Sequence, residues 1–383
     1  MIQLLSQMAD EGPLSFLRVF GYITVRAGLA LAVAFVFCIM AGPRLIDYLK
    51  KLQAIQYIRN SEGKDAISLA EMHAHKKSVP TMGGLLMLGA IILATALLGD
   101  WSQPVLWLAM LGTIGYCAIG YADDYLKVVK KNNAGLSARA KLIAQIALGS
   151  VFAGLYVYVF PHLVQYQFIE SGTVTQVTGP QFLLFPFMKA LMLPLGILYV
   201  AFVIFVLTGT SNAVNLTDGL DGLAAGVTIS ATLCFAVVAY LAGRPEAARY
   251  LIIPSVTGAG ELTVLLAALT GACLGFLWFN SHPAQVFMGD TGSMMLGGLL
   301  GSVALLIKQE FLLIIVGGVF VAETVSVILQ VGSYKLRQKR IFRMAPLHHH
   351  FERAGVPESK IITRFWIVSA LLALVGLVTL KIR

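Results

Sequence analysis

Ten separate apolar runs, each close to the length that crosses a bilayer, constrain this chain more than any other feature. A spanning helix needs about 20 mostly apolar residues, with a range of roughly 17–25. The runs are 22–41, 82–98, 105–122, 142–160, 190–207, 223–242, 262–279, 293–307, 311–331 and 361–380, the eighth short and rich in glycine. In hydrocarbon the backbone must satisfy its own hydrogen bonds, which a helix does within one segment. The expected fold is therefore all-α: a polytopic integral membrane protein with ten transmembrane helices, residues 1–383 forming a single domain. Charge supports this, because only 12% of the residues are Asp, Glu, Lys or Arg, against roughly 25% in a soluble domain.

Basic residues set the orientation. The first connection carries Arg44, Lys50, Lys51, Arg59, Lys64, Lys76 and Lys77. The third carries Lys127, Lys130, Lys131, Arg139 and Lys141, and the ninth runs from Lys335 to Lys360 with five arginines and lysines between. Even-numbered connections are poor in them. Lys and Arg collect on the cytoplasmic side, so odd connections face the cytoplasm and both termini face the periplasm. The net charge of +9 then fits an anionic lipid surface and calls for no nucleic acid. Residues 1–13 lack the basic start of a cleavable signal peptide. Cys38, Cys117, Cys234 and Cys273 lie inside apolar runs and read as small buried hydrophobes. In the fourth connection, residues 173–177 alternate polar and β-branched types. Gly179-Pro180 and the apolar stretch 181–185 follow, predicting a small external β-hairpin. Residues 45–58 have the pattern of a helix lying along the inner surface.

Five polar clusters stand out: KKSVPTMGG (76–84), YADDYLK (121–127), NAVNLTDGLDG (212–222), FNSHPAQVFMGDTGS (279–293) and APLHHHFE (345–352). All fall in odd connections, hence on one face. Asp123, Asp124 and Asp290 offer hard oxygen ligands suited to Mg²⁺, which binds one or two carboxylates together with substrate phosphates. Lys76, Lys127 and Lys141 are point charges able to neutralise phosphate. Phe287 offers a stacking face for a flat base, and Asn212 and Asn215 offer amides to read its edges. Asp218 and Asp221 sit beside glycines that permit close backbone approach. Taken singly these features have plain readings: an Asp pair caps a helix, and His348–His350 form a solvated loop. Together, acidic, basic and amide groups on one membrane face describe phosphoryl transfer, in which positioning and charge neutralisation supply most of the catalysis.

The same motifs resemble those of the phospho-N-acetylmuramoyl-pentapeptide transferases, within the polyprenyl-phosphate N-acetylhexosamine-1-phosphate transferase superfamily. PTMGG, GLSARAK and the ten-span pattern extend the resemblance over nearly the whole chain, and PLHHHFE separates it from the GlcNAc-1-phosphate transferases. The resemblance implies Mg²⁺-dependent reaction of UDP-MurNAc-pentapeptide with undecaprenyl phosphate at the bacterial inner membrane, giving lipid I and UMP for peptidoglycan. It implies that Asp290 holds Mg²⁺ and that Asp123 and Asp124 orient or deprotonate the lipid phosphate and assist the metal. Lys141 and His349 join them as catalytic residues. Lys76, Lys127, Asn212, Asn215, Asp218, Asp221, Asn280, Phe287, His348 and His350 are implied to bind substrate, and the protein to form a homodimer. A GlcNAc-1-phosphate transferase is the alternative within the same chemistry. A cation-coupled transporter is the alternative from another class, since intramembrane carboxylates also carry ions.

The orientation is open to direct test. Single cysteines introduced within 132–136 and 338–342 are expected to react with a membrane-impermeant maleimide only from the cytoplasmic side. Labelling in intact cells from the outside would invert the topology.

Overall fold

A helical membrane bundle carries the expected apolar runs. The computed structural model describes residues 15–52, 79–128, 135–170, 173–185 and 187–381. Its helices are α1 (Ile23–Lys51), α2 (Gly84–Leu98), α3 (Pro104–Val128), α4 (Ala138–Gly154), α5 (Leu198–Thr217), α6 (Leu223–Ala242), α7 (Pro245–Leu251), α8 (Ala259–Asn280), α9 (Gly289–Leu306), α10 (Glu310–Val316), α11 (Gly318–Arg337), α12 (Leu347–Arg353) and α13 (Glu358–Thr379). Among the described residues, eight helices are long and apolar enough to cross a membrane: α1, α3, α4, α5, α6, α8, α11 and α13. This makes the chain a multi-pass membrane protein. The second expected run is a helix of only 15 residues, and the ninth is two helices, α10 and α11, divided at Gly317.

The Gly-rich eighth run has a simple physical explanation. Residues 291–306 of α9 are all buried, so this helix meets protein rather than lipid. Its glycines admit neighbours at backbone distance: a Cβ on Gly297 would run into the backbone of Thr210 and Ser211 in α5, and one on Gly298 into the Tyr116 ring of α3. Small residues that let helices approach closely are the usual device for packing in membranes. Helix α8 plays a similar part on the other flank, packed between α1 and α6.

The chain is mostly helical, and where one external hairpin was expected the described residues carry five short strands: β1 (Val164–Glu170), β2 (Thr173–Thr178), β3 (Phe182–Phe185), β4 (Met188–Pro194) and β5 (Ser255–Val256). The expected hairpin joined the segments now seen as β2 and β3. Instead β2 pairs antiparallel with β1, which also pairs with β5, and β3 pairs antiparallel with β4. Gly179-Pro180 thus links two small sheets. Gly179 takes φ +104, and its N–H is spent on Val164 O at 3.0 Å, closing the first sheet. The fifth run also begins later than expected: Met188–Pro194 is strand, and α5 starts at Leu198, after Pro194 and a positive φ at Gly196 have turned the chain.

Two buried ionic groups fasten the end of the bundle that carries the sheets. Lys308, 1% exposed, donates to Pro180 O and Phe182 O, to the Tyr199 hydroxyl and to Glu310 Oε1. It ties the sheets to α5 and α10. Arg26 forms a two-armed pair with Glu261, 2.7 Å on each arm, and donates to Leu98 O. That joins α1, α2 and α8. In such surroundings a charge needs this many partners to be tolerated.

Candidate active site

At the opposite end of the bundle the carboxylates meet. Asp123 and Asp124 lie in the last turns of α3, and Asp290 in the first turn of α9. The two helices approach so closely that a Cβ on Gly120 would overlap the Asp290 backbone. Asp124 accepts from the Asp290 and Thr291 N–H groups at 3.2 and 2.8 Å, and from the Thr291 hydroxyl at 2.7 Å. It therefore caps a helix, but a different one from its own, closing N–H groups that the first turn of α9 leaves open. Asp123 accepts the Leu136 N–H at 2.6 Å through Oδ1.

Two ammonium groups bridge the remaining carboxylate oxygens. Lys127 Nζ lies 2.6 Å from Asp123 Oδ2 and 2.8 Å from Asp290 Oδ2. Lys141 Nζ lies 2.9 Å from Asp290 Oδ2 and 3.5 Å from Asp123 Oδ2. Ser137 starts the helix that carries Lys141, its side chain accepting the Ala140 N–H. Asn215 donates to Asp290 Oδ1 at 2.6 Å and to Ser293 Oγ at 2.9 Å. Asp123 Oδ2 and Asp290 Oδ2 thus share one cation position, presently filled by lysine, and the donors are all oxygen. A hard divalent ion such as Mg²⁺ fits this pair. Asp124 does not face it in the same way, since both its oxygens serve the start of α9.

Beside this cluster three loops assemble. Residues 80–84 run against 287–288: Phe287 N–H donates to Pro80 O, Gly83 N–H to Phe287 O and Gly84 N–H to Met288 O, at 2.8 to 3.0 Å. The polar stretch 212–217 continues α5 as helix, so only Asp218–Gly222 forms the turn to α6. Gly222 takes φ +76 there, and its N–H donates to Asn280 Oδ1 at 2.9 Å, while the Asn280 amide donates to Val286 O. Asn280 therefore locks the turn to the 279–288 loop. Burial, reinforced by the negative charges of Asp290, Asp124 and Asp221, pushes the Asp218 carboxyl up to about 8. At neutral pH such a carboxyl keeps its proton for most of the time.

The histidines divide. His348 is buried, with its backbone N–H on Glu323 Oε1 and Nδ1 3.2 Å from Glu323 Oε2. Its ring lies on Gly219, where any Cβ would strike Nε2. His349 is 2.6 Å from Glu352, and His350 Nδ1 accepts the Arg343 N–H at 3.1 Å. Asn212 turns away from the carboxylates, its amide donating to Gln145 and to Thr208 O. Lys76 lies outside the described residues. Glu323, Thr291, Ser293, His282 and Glu358 were not singled out in the sequence. The only hint for Glu323 was a carboxylate within an apolar run, which calls for a partner.

Helix α11 runs from this end between two apolar cavities. One, of about 280 Å³, is lined by Phe205, Gly209, Ala213, Phe311, Gly317 and Phe320. The other, of about 390 Å³, lies against α12 and α13. Ala213, which lines the first cavity, precedes Asn215 by two residues on α5 and so lies on the other side of that helix.

Comparison with known proteins adds two findings. Residues 106–308 match Glycosyl transferase family 4. Over 370 residues, 96% of each chain, the protein is 50% identical to the phospho-N-acetylmuramoyl-pentapeptide-transferase of Solidesulfovibrio magneticus.

The α3–α9 contact should resist enlargement. Gly120→Ala is expected to force the two helices apart, costing about 1–3 kcal/mol, the usual cost of overpacking, and to lower the thermal midpoint of the purified protein. An unchanged midpoint would mean that the approach at Gly120 is looser than described.

Proposed function

We propose the following reaction on the premise that the chain belongs to glycosyl transferase family 4 and, within it, to the phospho-N-acetylmuramoyl-pentapeptide-transferases. The enzyme transfers phospho-MurNAc-pentapeptide from UDP-MurNAc-pentapeptide to undecaprenyl phosphate in the bacterial inner membrane, giving lipid I and UMP on the cytoplasmic side. One observation carries the chemistry. Asp123 and Asp290 converge with Lys127 and Lys141 at one end of the bundle, and α5 of that bundle also lines an apolar cavity.

Both reactants are anions, so the site must first bring negative charges together. Lys127 and Lys141 neutralise the pyrophosphate and the lipid phosphate, exchanging carboxylate partners for phosphate oxygens as substrates enter. Mg²⁺ would be held by Asp290 and Asp123, where it would supply charge neutralisation for the pyrophosphate and the departing UMP. Asp124 is a positioning residue that fixes the start of α9. Asp123 orients the lipid phosphate and takes the proton only from the fraction that arrives as the monoanion. A phosphate monoester is largely dianionic at neutral pH, its second pKa being about 6. It is already a competent nucleophile, and a single in-line displacement follows. The polyprenyl chain lies in the cavities flanking α11, with its phosphate toward Asn215. The uridine sits where Asp221, Asn280 and Phe287 meet, and His349 and His350 contact the substrate from α12. His348 acts through the Asp218–Gly222 turn by supporting Gly219. The protein works as a homodimer.

The decisive assay incubates purified protein with both substrates and Mg²⁺ and measures UMP and a lipid-linked product. Asp290→Asn should lower turnover roughly 10²-fold or more while leaving folding intact. Equal turnover of UDP-GlcNAc, or an Asp290→Asn protein near wild-type activity, would overturn the reading.

Asp218 gives the reaction a pH limb. Below about pH 8 its carboxyl is neutral and does not repel a diphosphate; above that it becomes an anion. KM for UDP-MurNAc-pentapeptide is therefore expected to rise several-fold as pH increases through that value. Asp218→Asn should flatten the rise. A KM in the wild type that ignores pH across this range would contradict the assignment.

A further inference from the structure

Three groups near the nucleotide turn are arranged for a different ion. Asp221 belongs to the turn after α5, His282 to the loop after α8, and Glu358 opens α13. One ligand atom from each lies within 4.8 Å of the other two. His282 Nδ1 is 3.1 Å from Asp221 Oδ2 and 3.7 Å from Glu358 Oε2. The shorter contact is a hydrogen bond of ordinary length, which a metal ion would replace by coordinating the same two atoms. Zinc bonds to nitrogen and oxygen of about 2.0–2.1 Å, set tetrahedrally, put neighbouring donor atoms about 3.3–3.4 Å apart. The two observed separations bracket that edge.

The carboxylates are also anchored as ligands usually are. Glu358 uses Oε1 to accept the Asp221 N–H at 3.1 Å, leaving Oε2 toward the imidazole. Asp221 Oδ2 is steadied by the Ala284 N–H at 3.1 Å. Backbone hydrogen bonds that orient coordinating carboxylates are the outer support common to metal sites. Asp221 is buried, whereas the His282 side chain is 35% exposed. An ion can therefore enter from the solvent side and keep a water as its fourth ligand.

We propose that Asp221, His282 and Glu358 form a site for a transition-metal ion of the Zn²⁺ class, distinct from the Asp123–Asp290 pair, which inhibits the enzyme by occupying Asp221. An imidazole nitrogen among the ligands selects zinc-like ions over Mg²⁺, which prefers oxygen alone. The inhibition rests on the reading of Asp221 as part of the nucleotide pocket; the metal site itself does not. His282 and Glu358 lie outside the reacting groups, so their loss removes the metal without removing the chemistry.

The test uses full-length protein in detergent with Mg²⁺ present throughout. Co²⁺, a spectroscopic substitute for Zn²⁺, is expected to bind one equivalent per chain with the intense visible absorption of tetrahedral cobalt. His282→Ala and Glu358→Gln should each weaken binding at least about tenfold, while His282→Ala keeps its thermal midpoint and its UMP release. Zn²⁺ should inhibit the wild type, less so at higher UDP-MurNAc-pentapeptide, and His282→Ala should resist it. No saturable Co²⁺ binding, or binding intact in both variants and so carried by other histidines such as His349 and His350, would overturn the site. Binding at the site without inhibition would instead overturn the regulatory role and the placing of Asp221 in the nucleotide pocket.

Discussion

A helix that begins inside a protein leaves backbone N–H groups open, and α9 begins among the charges of the reaction centre. Asp124 of α3 closes them, and the rest of the site depends on that contact. It fixes where Asp290 stands and holds the end of α3 against the start of α9, so that Asp123 and Lys127 arrive on the same side. The positive end of the helix dipole and the carboxylate also suit each other. Three acidic side chains would otherwise repel. Here one is absorbed by a helix end, and the other two share a pair of lysines.

This division of labour explains how like charges coexist at a membrane boundary. Asp218, the fourth carboxyl in the neighbourhood, accommodates by keeping its proton instead. Hydrogen bonding, ion pairing and protonation are three different answers to the same desolvation cost, and each leaves its carboxyl in a different chemical state. The far end of the bundle combines ion pairing with hydrogen bonds to backbone carbonyls. Arg26 with Glu261 and Lys308 with Glu310 hold helices and sheets together there.

Much of this was legible in the chain. Apolar length gave the helices, and parity of the connections gathered Asp123, Asp290, Asp221 and His348 at one end. Strand pairing was not legible, because residues 173–177 alternate equally well for either neighbour and only Val164–Glu170, overlooked as a strand, decides between them. The weak eighth run misled in an informative way: a helix with no lipid contact has no need of bulky apolar residues, so its glycines look like a flaw until the packing is seen. Asn212 lies three residues before Asn215, yet its amide donates to Gln145 and Thr208 O rather than to Asp290. The Mg²⁺ expectation rested on residue type and on the family resemblance. Asp123 and Asp290 share their Oδ2 contacts with the two lysines, while both oxygens of Asp124 accept from the start of α9.

The complete burial of α9 has a consequence for how the protein meets its solvent. Helices touching lipid tilt or bend when bilayer thickness changes, and α5, α11 and α13 present wide apolar surfaces to it. Helix α9 has none to present. Adjustment to bilayer thickness therefore falls on the outer helices, around a hub that presents no apolar face to lipid. Asp290 stands on the helix without lipid contact, whereas its partners Asn215, Lys127 and Lys141 stand on α5, α3 and α4, so bilayer thickness bears on the cluster through those three helices.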